Sequence, residues 1–215
     1  MSEEKFPQTE KTTITRLSQR GVYDKETIYT ILDKVLYCTI AFVKEGKPFQ
    51  IPTGFCRIQD TLYIHGSVGS SYMRELAEKQ LPVCISVTQI NGIVLARSAF
   101  HHSVNYKSVI IFTEAKKITN KDEMYKSLEV LTNKMQPGRW NDIRKPSQKE
   151  WNATMVLAFS IEEASAKIRT GPPKDDVEDY ALNIWAGVVP LQLQKLSPIS
   201  DEKLKEGVEL PKYLK

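Results

Sequence analysis

Long apolar runs are missing from this sequence: no stretch approaches the roughly 20 residues of a membrane-spanning helix, so no membrane partner is expected. Cysteine is scarce. Cys38, Cys56 and Cys84 stand far apart, each within an apolar, strand-like run, and their odd number argues against a disulfide framework. Buried free thiols in a reducing compartment are the expectation. Met-Ser-Glu-Glu-Lys at the N-terminus has no signal-peptide apolar core, so a cytoplasmic or other reducing intracellular location is expected. Strong charge is lacking too. The formal net charge of +4 would help to attract an anionic ligand, but it is no nucleic-acid footprint. Also absent are the phosphate loop Gly-x-x-x-x-Gly-Lys-[Ser/Thr], the dinucleotide signature Gly-x-Gly-x-x-Gly, Cys-x-x-Cys, His-Glu-x-x-His and Gly-x-Ser-x-Gly. Their absence argues against the common nucleotide, zinc and serine-hydrolase sites. No metal is expected, since His101 and His102 are adjacent and would point to opposite faces of a strand.

What is present suits one globular domain. The chain has 215 residues, enough for an ample core. A domain over 14–193 is expected, with peripheral tails at 1–13 and 194–215, the first polar and mobile. Asp24 reads as an N-cap, followed by an apolar stripe of Ile28, Ile31, Leu32 and Val35 at helical spacing. Strands are read over 36–44, 48–58 and 61–65, and sequence adjacency makes an antiparallel meander their simplest topology. Pro48 and Pro52 lack ladder donors, which puts the second of these strands at an edge or bulge. A second helix over 71–79 turns Met73, Leu76 and Ala77 inward. A strand over 83–89 meets Ile90-Asn91-Gly92, a hairpin signal, and the sheet continues over 92–100 and 104–118. Asn120 and Glu123 suggest a capping box for a third helix with Met124, Leu128, Leu131 and Met135 inward. Ser147 and Glu150 suggest a single capped turn. Residues 153–161 read as the last core strand. Asp175 and Glu178 suggest the start of a short helix with Val177, Tyr180, Ala181 and Ile184 on its apolar face.

Two stretches carry chemistry. Residues 97–114 bring a polar cluster, Ser103, Asn105, Tyr106, Lys107 and Ser108, into an apolar run from Val109 to Phe112. Hydroxyl, amide and ammonium donors suit phosphate, although a wet strand end would look the same. Leu62 to Leu76 reads as a strand, a Gly/Ser loop through Gly66, Gly69, Ser70 and Ser71, and a helix start. Backbone amides there make a ready anion site.

Several motifs run in order along the chain: Arg20-Gly-Val-Tyr-Asp24, Gly46-Lys-Pro48 with Pro52, Leu62-Tyr-x-His65-Gly66-Ser67, Leu95-Ala-Arg97-Ser-Ala-Phe-His-His-Ser-x-Asn-Tyr106, Pro137-Gly-Arg-Trp140, Ser165-Ala-Lys-x-Arg169 and Trp185-Ala-Gly187. Together they resemble the FMN-binding split-barrel family related to pyridoxamine 5′-phosphate oxidase, in its nitroimidazole-resistance-like branch. The resemblance implies a mainly β fold: a six- to seven-stranded antiparallel split β-barrel with flanking helices. It also implies FMN, held between the subunits of a homodimer, and an oxidoreductase acting on a small-molecule substrate. Gln50, Ile51, Pro52 and Thr53 would line the flavin. Ile64, His65, Gly66, Ser70, Ser71 and Tyr72 would hold the ribityl phosphate, with Lys107 and Ser108. The oxidase has a basic pair where this chain has Ser71-Tyr72, so Arg74, Lys107 or Arg97 would meet the phosphate charge. Trp185 would reach the site or pack in the core. His102 shares strand parity with Val104, Tyr106 and Ser108, and is the candidate proton donor. Alternatives from other classes are a flavin carrier or sensor without turnover, and a haem- or pyridoxal-phosphate-binding module on the same barrel.

Overall fold

A computed structural model describes residues 4–214. Its hydrogen-bonded strand path begins at an edge, β3 (Lys47–Gly54), and runs through β2 (Tyr37–Lys44), β6 (Pro82–Leu95), β7 (Ser103–Lys117), β8 (Thr154–Ser160) and β5 (Thr61–Ser67) to β4 (Cys56–Ile58). Off this path, β9 (Glu163–Arg169) pairs with β7 and with the short β1 (Gly21–Val22), and β10 (Gly187–Pro190) pairs with β6. All these pairings are antiparallel. This is the expected mainly β split barrel with flanking helices. β3 and β4 stand at opposite ends of the path although only Phe55 separates them, and no ladder joins them. The expected meander is therefore corrected: β3 pairs with β2 alone, and the chain crosses at Phe55 to begin a different pairing, β4 with β5.

Helix α1 (Lys25–Lys34) starts where expected, with Asp24 accepting from the Thr27 amide, and buries Ile28, Ile31 and Leu32. Helix α2 (Ser71–Lys79) buries Met73 and Leu76. Both helices contribute to the main core, with Ile40, Ile64, Ile85, Val109, Ile111 and Leu157 from the strands. Helix α3 (Lys121–Met135) covers a smaller core on the other face of the β4–β5–β8 portion: Cys56, Tyr63, Ile118, Leu131, Val156 and Ala158. Here Ser127 is buried where the pattern placed none, its hydroxyl bonded to the Met124 carbonyl, while Met135 is 52% exposed. Arg139–Asp142 forms the short α4, and Gln148–Ala153 forms α5 with a complete Ser147–Glu150 capping box. The cysteines are free; burial pushes the Cys38 and Cys56 thiols up to about 12. Among the described residues, no helix is long and apolar enough to cross a membrane.

Other expectations are revised. Of the polar N-terminal arm, residues 4–13 are packed, not mobile, while residues 1–3 lie outside the described residues: Phe6 is 4% exposed, and Tyr23 ties the arm down by accepting from the Ile14 amide and donating to the Thr12 carbonyl. Residues 153–161 are not the last core strand. β9 follows, and its small residues Ala164, Ser165 and Ala166 are buried but carry little strand propensity. Asn91-Gly92 makes no hairpin. β6 runs on through it, with a register shift between Ile90 and Gly92 against β7. The glycine serves β10 instead: a Cβ there would lie 2.9 Å from Val188 Cγ1 and 3.2 Å from the Val189 carbonyl oxygen. Gly92→Ala is therefore expected to push β10 off β6, costing about 1–3 kcal/mol. Thermal unfolding with amide exchange at 187–190 checks this; wild-type stability and protection would refute it.

Candidate functional site

The expected site residues fall into separate groups. The first forms where β3, the end of β5 and the start of α2 meet. Burial pushes the Tyr72 phenol above the usual value, and the nearby Thr53 side chain works against the shift. Gly66 lets α2 seat closely on β5, since a Cβ there would lie 3.2 Å from Met73 Cγ. Ile64 is buried in the main core, so it supports the site by packing. His65 keeps open surface, yet the protein around it desolvates its ring and lowers its pKa. The N-terminus of α2 is uncommitted: the Ser70 side chain makes no cap bond, and no acid lies in the first turn. Partial positive charge from the helix and unbonded amides collect there. Arg74, three residues past the first residue of α2, is exposed and forms no ion pair among the described residues.

Gln50, Ile51, Pro52 and Thr53 lie on the edge strand, paired on one side only. Proline costs an edge ladder nothing at positions whose amides face outward. Gln50 shares parity with Pro48 and Pro52, so this reasoning leaves its amide for an outside acceptor. The same residues help to form an open outer face, where paired positions stand in rows: Pro52, Thr39, Ser86 and Ile110; then Gln50, Ala41, Cys84 and Phe112. A cleft of about 780 Å³ on this face takes in Gln50, Ala41, Cys84 and Phe112 but no other expected site residue.

Lys107 and Ser108 are in β7, with β6 and β2 between them and β3; the Ser108 hydroxyl donates to the Lys167 carbonyl at 3.4 Å. Helix α2 packs against β7 elsewhere, but among the described residues neither side chain makes a hydrogen bond or ion pair with the start of α2.

The third group lies at the far end of β6. Arg97 is not a spare cation. Its amide and guanidinium donate to Asp175 at 3.0 and 2.9 Å, and its guanidinium stacks 4.9 Å from the Tyr180 ring centroid. Asp175 is thereby removed from the capping role expected of it; Asp176 is the N-cap of the short turn Val177–Ala181. That turn's expected apolar face is exposed, Val177 by 87% and Tyr180 by 56%. Trp185 does not pack in the core: it is 67% exposed.

His101 and His102 are not in a strand, so the parity argument loses its premise. Ala99–His101 is a 3-10 turn and β7 starts at Ser103. His101 Nε2 meets Asp176 at 3.2 Å, while the exposed His102 donates from Nδ1 to the Ser98 carbonyl at 2.9 Å. Sequence reading also passed over Arg169, buried with Asn105. Its guanidinium donates to the Asn105 side chain and to the Gly171 and Pro172 carbonyls, and so fixes the start of the connection to β10. The Ser165–Arg169 motif was its signal.

Burial would raise the Asp175 carboxyl, but the bonds and charge of Arg97 hold it below the usual carboxylate range. A lowered folded pKa gives stability that is present above the unfolded value and lost as pH falls through the folded one. Asp175→Asn is therefore expected to lower the thermal midpoint at neutral pH and to flatten its fall below about pH 3.8, near the ordinary value. Parallel acid limbs for the two proteins would refute this.

Comparison with known proteins gives the family of the chain and relatives of its fold. The family model described as pyridoxamine 5′-phosphate oxidase matches residues 24–168. The solved flavocytochrome Anf3 from Azotobacter vinelandii is 35% identical, with 96% of this chain and 95% of that chain covered and a TM-score of 0.89. An FAD- and haem-binding protein from Mycobacterium smegmatis is 37% identical over 90% of this chain and 95% of that one, TM-score 0.86. A candidate 5-nitroimidazole resistance protein from Bacteroides thetaiotaomicron shares the fold at 20% identity, TM-score 0.58, over 69% of this chain and 86% of that one. No curated protein matches the chain.

Proposed function

We propose that this chain, which belongs to the pyridoxamine 5′-phosphate oxidase family, is a flavin-binding redox protein that holds its flavin between two copies of itself, with haem as a second cofactor. The observation that carries the flavin half is the uncommitted N-terminus of α2 beside the open edge of β3. This arrangement fits the group. The amides of Ser71 and Tyr72, with Arg74, would meet a phosphate, and the Gln50 amide with the Pro52 carbonyl would meet polar edges of the ring. The flavin, when bound, supplies hydride acceptance or donation at its N5. The chain's own residues bind and orient it and exclude water.

Two features support the shared site. Lys107 and Ser108 make no hydrogen bond or ion pair to the start of α2 among the described residues, and we read a second copy as bringing them to the flavin. The open sheet face also leaves Tyr37 59%, Val43 57% and Ile90 45% exposed, apolar surface of the kind that marks an interface. FMN is what the family resemblance implied. The similarity to a flavocytochrome and to an FAD- and haem-binding protein supports FAD with haem, and that pair is our reading. The reaction is a redox step on a small molecule.

Acid-released cofactor from the purified protein is expected to give the mass of FAD, and light scattering about twice the 24.5 kDa chain mass. Bleaching of the flavin by NADH or NADPH, with reoxidation in air, would support turnover over a carrier role. A fully flavin-loaded monomer would overturn the shared site, and FMN alone would return the flavin to the first expectation.

A further inference from the structure

Lys134, near the end of α3, carries a half-buried amine that the proposed flavin site does not use. Its nitrogen donates to the Leu32 carbonyl at 2.9 Å and lies 3.4 Å from the ring centroid of the fully buried Phe55. It forms no ion pair among the described residues. The amine stands at the wall of a cleft of about 360 Å³, together with Asp33, Arg57, Lys126, Glu129 and Val130. Both acids of that cleft are committed elsewhere. Asp33 takes the Arg57 guanidinium through both oxygens, at 3.0 and 2.6 Å, and Glu129 takes Lys126 at 2.9 Å. The Cys38 and Cys56 thiols supply no counter-ion, since burial pushes both up to about 12.

A desolvated ammonium without a counter-ion gives up its proton readily. Burial lowers the Lys134 pKa to about 8; the charge of Asp33 works against the shift and that of Arg57 adds to it. A freed amine at a cleft wall is a nucleophile for a carbonyl carbon. The surroundings also select the electrophile. Acylation, or capture of carbon dioxide, would leave a neutral amide or an anion on a ring face that favours a cation. A protonated imine keeps the positive charge over Phe55 and one N–H for the Leu32 carbonyl. We propose that Lys134 is a covalent capture site for short, uncharged aldehydes. The amine nitrogen bonds to the aldehyde carbon, the carbonyl oxygen leaves as water with both amine protons, and the imine takes up a proton from solvent. No oxidant or reductant takes part. The cleft is at the small end for ligand pockets, and its charges are already paired with one another, which suits a short chain without charge. The proposal goes beyond the flavin reading and does not rest on it.

The test is to equilibrate the full-length protein with propanal at pH 7 and quench with borohydride, which reduces an imine to a stable propylamine. Peptide mass spectrometry then locates the label. Lys134 should carry at least about tenfold more label than any exposed lysine, because a lysine in water stays protonated up to about pH 10.4. Lys134→Arg keeps a cation over Phe55 and a donor to Leu32, so it should unfold at the wild-type temperature and lose this label alone. Asp33→Asn removes the charge that opposes the shift and should raise labelling of Lys134, a response that a lysine serving only as a tie would not give. Label spread evenly over the lysines, or reaching Lys134 only in denaturant, would overturn the proposal and leave the flavin reading untouched.

Discussion

Gly54 ends one edge of the sheet and Cys56 begins the other, so the barrel is joined at Phe55 by the chain itself and not by hydrogen bonds. The seam is packed shut instead. Phe55 is fully buried, Lys134 of α3 sets its ammonium 3.4 Å over the ring centroid, and the same ammonium donates to the Leu32 carbonyl at the end of α1. Burying a phenylalanine is worth about 1.5–3 kcal/mol, and a cation over its face adds about 0.5–2. One side chain thus ties two helices to the point where the sheet changes hands. Closure by packing leaves β3 without a second strand partner, and this lets Pro48 and Pro52 sit in it at no cost to a ladder. A barrel closed by hydrogen bonds would have used up the amides that the proposed flavin needs.

The same division of labour runs through the sheet. Its inner face is filled by α1 and α2 and is nearly all apolar. On its outer rows, from Pro52 to Ile110, polar and apolar side chains mix. Stability is therefore concentrated on one face, and the other is free to meet cofactor or partner. The strap that ends in β10 lengthens that free face. It is held by the Arg97–Asp175 pair, by the Arg169–Asn105 cluster and by the bare backbone of Gly92.

Local signals read well. The bounds of α2, the Asp24 and Ser147 caps and the edge position of β3 all follow from residues within a few positions of each other. What was misread depends on distant partners. Asn91-Gly92 is a good hairpin turn in isolation, but the close approach of Val188, nearly a hundred residues on, makes it a bulge. The alanines of β9 are strand residues only because β7 and the core leave room for nothing larger. Parity assigned His102 to a strand that starts one residue later, because a 3-10 turn at Ala99–His101, tied to Asp176 through His101, comes first.

Charge shows most clearly where sequence reading ends. Arg74, Lys107 and Arg97 are equivalent as residue types, and each was a candidate for meeting a phosphate. The fold separates them by what each already faces. Arg97 meets a carboxylate with no exposed surface, so moving it to another anion would strand a buried charge, a cost that typically exceeds what the pair itself contributes. Arg74 and Lys107 have no such prior partner among the described residues, and a phosphate would gain their full attraction. One stands on α2 and the other on β7, and two cations free of partners are what the proposed phosphate would need.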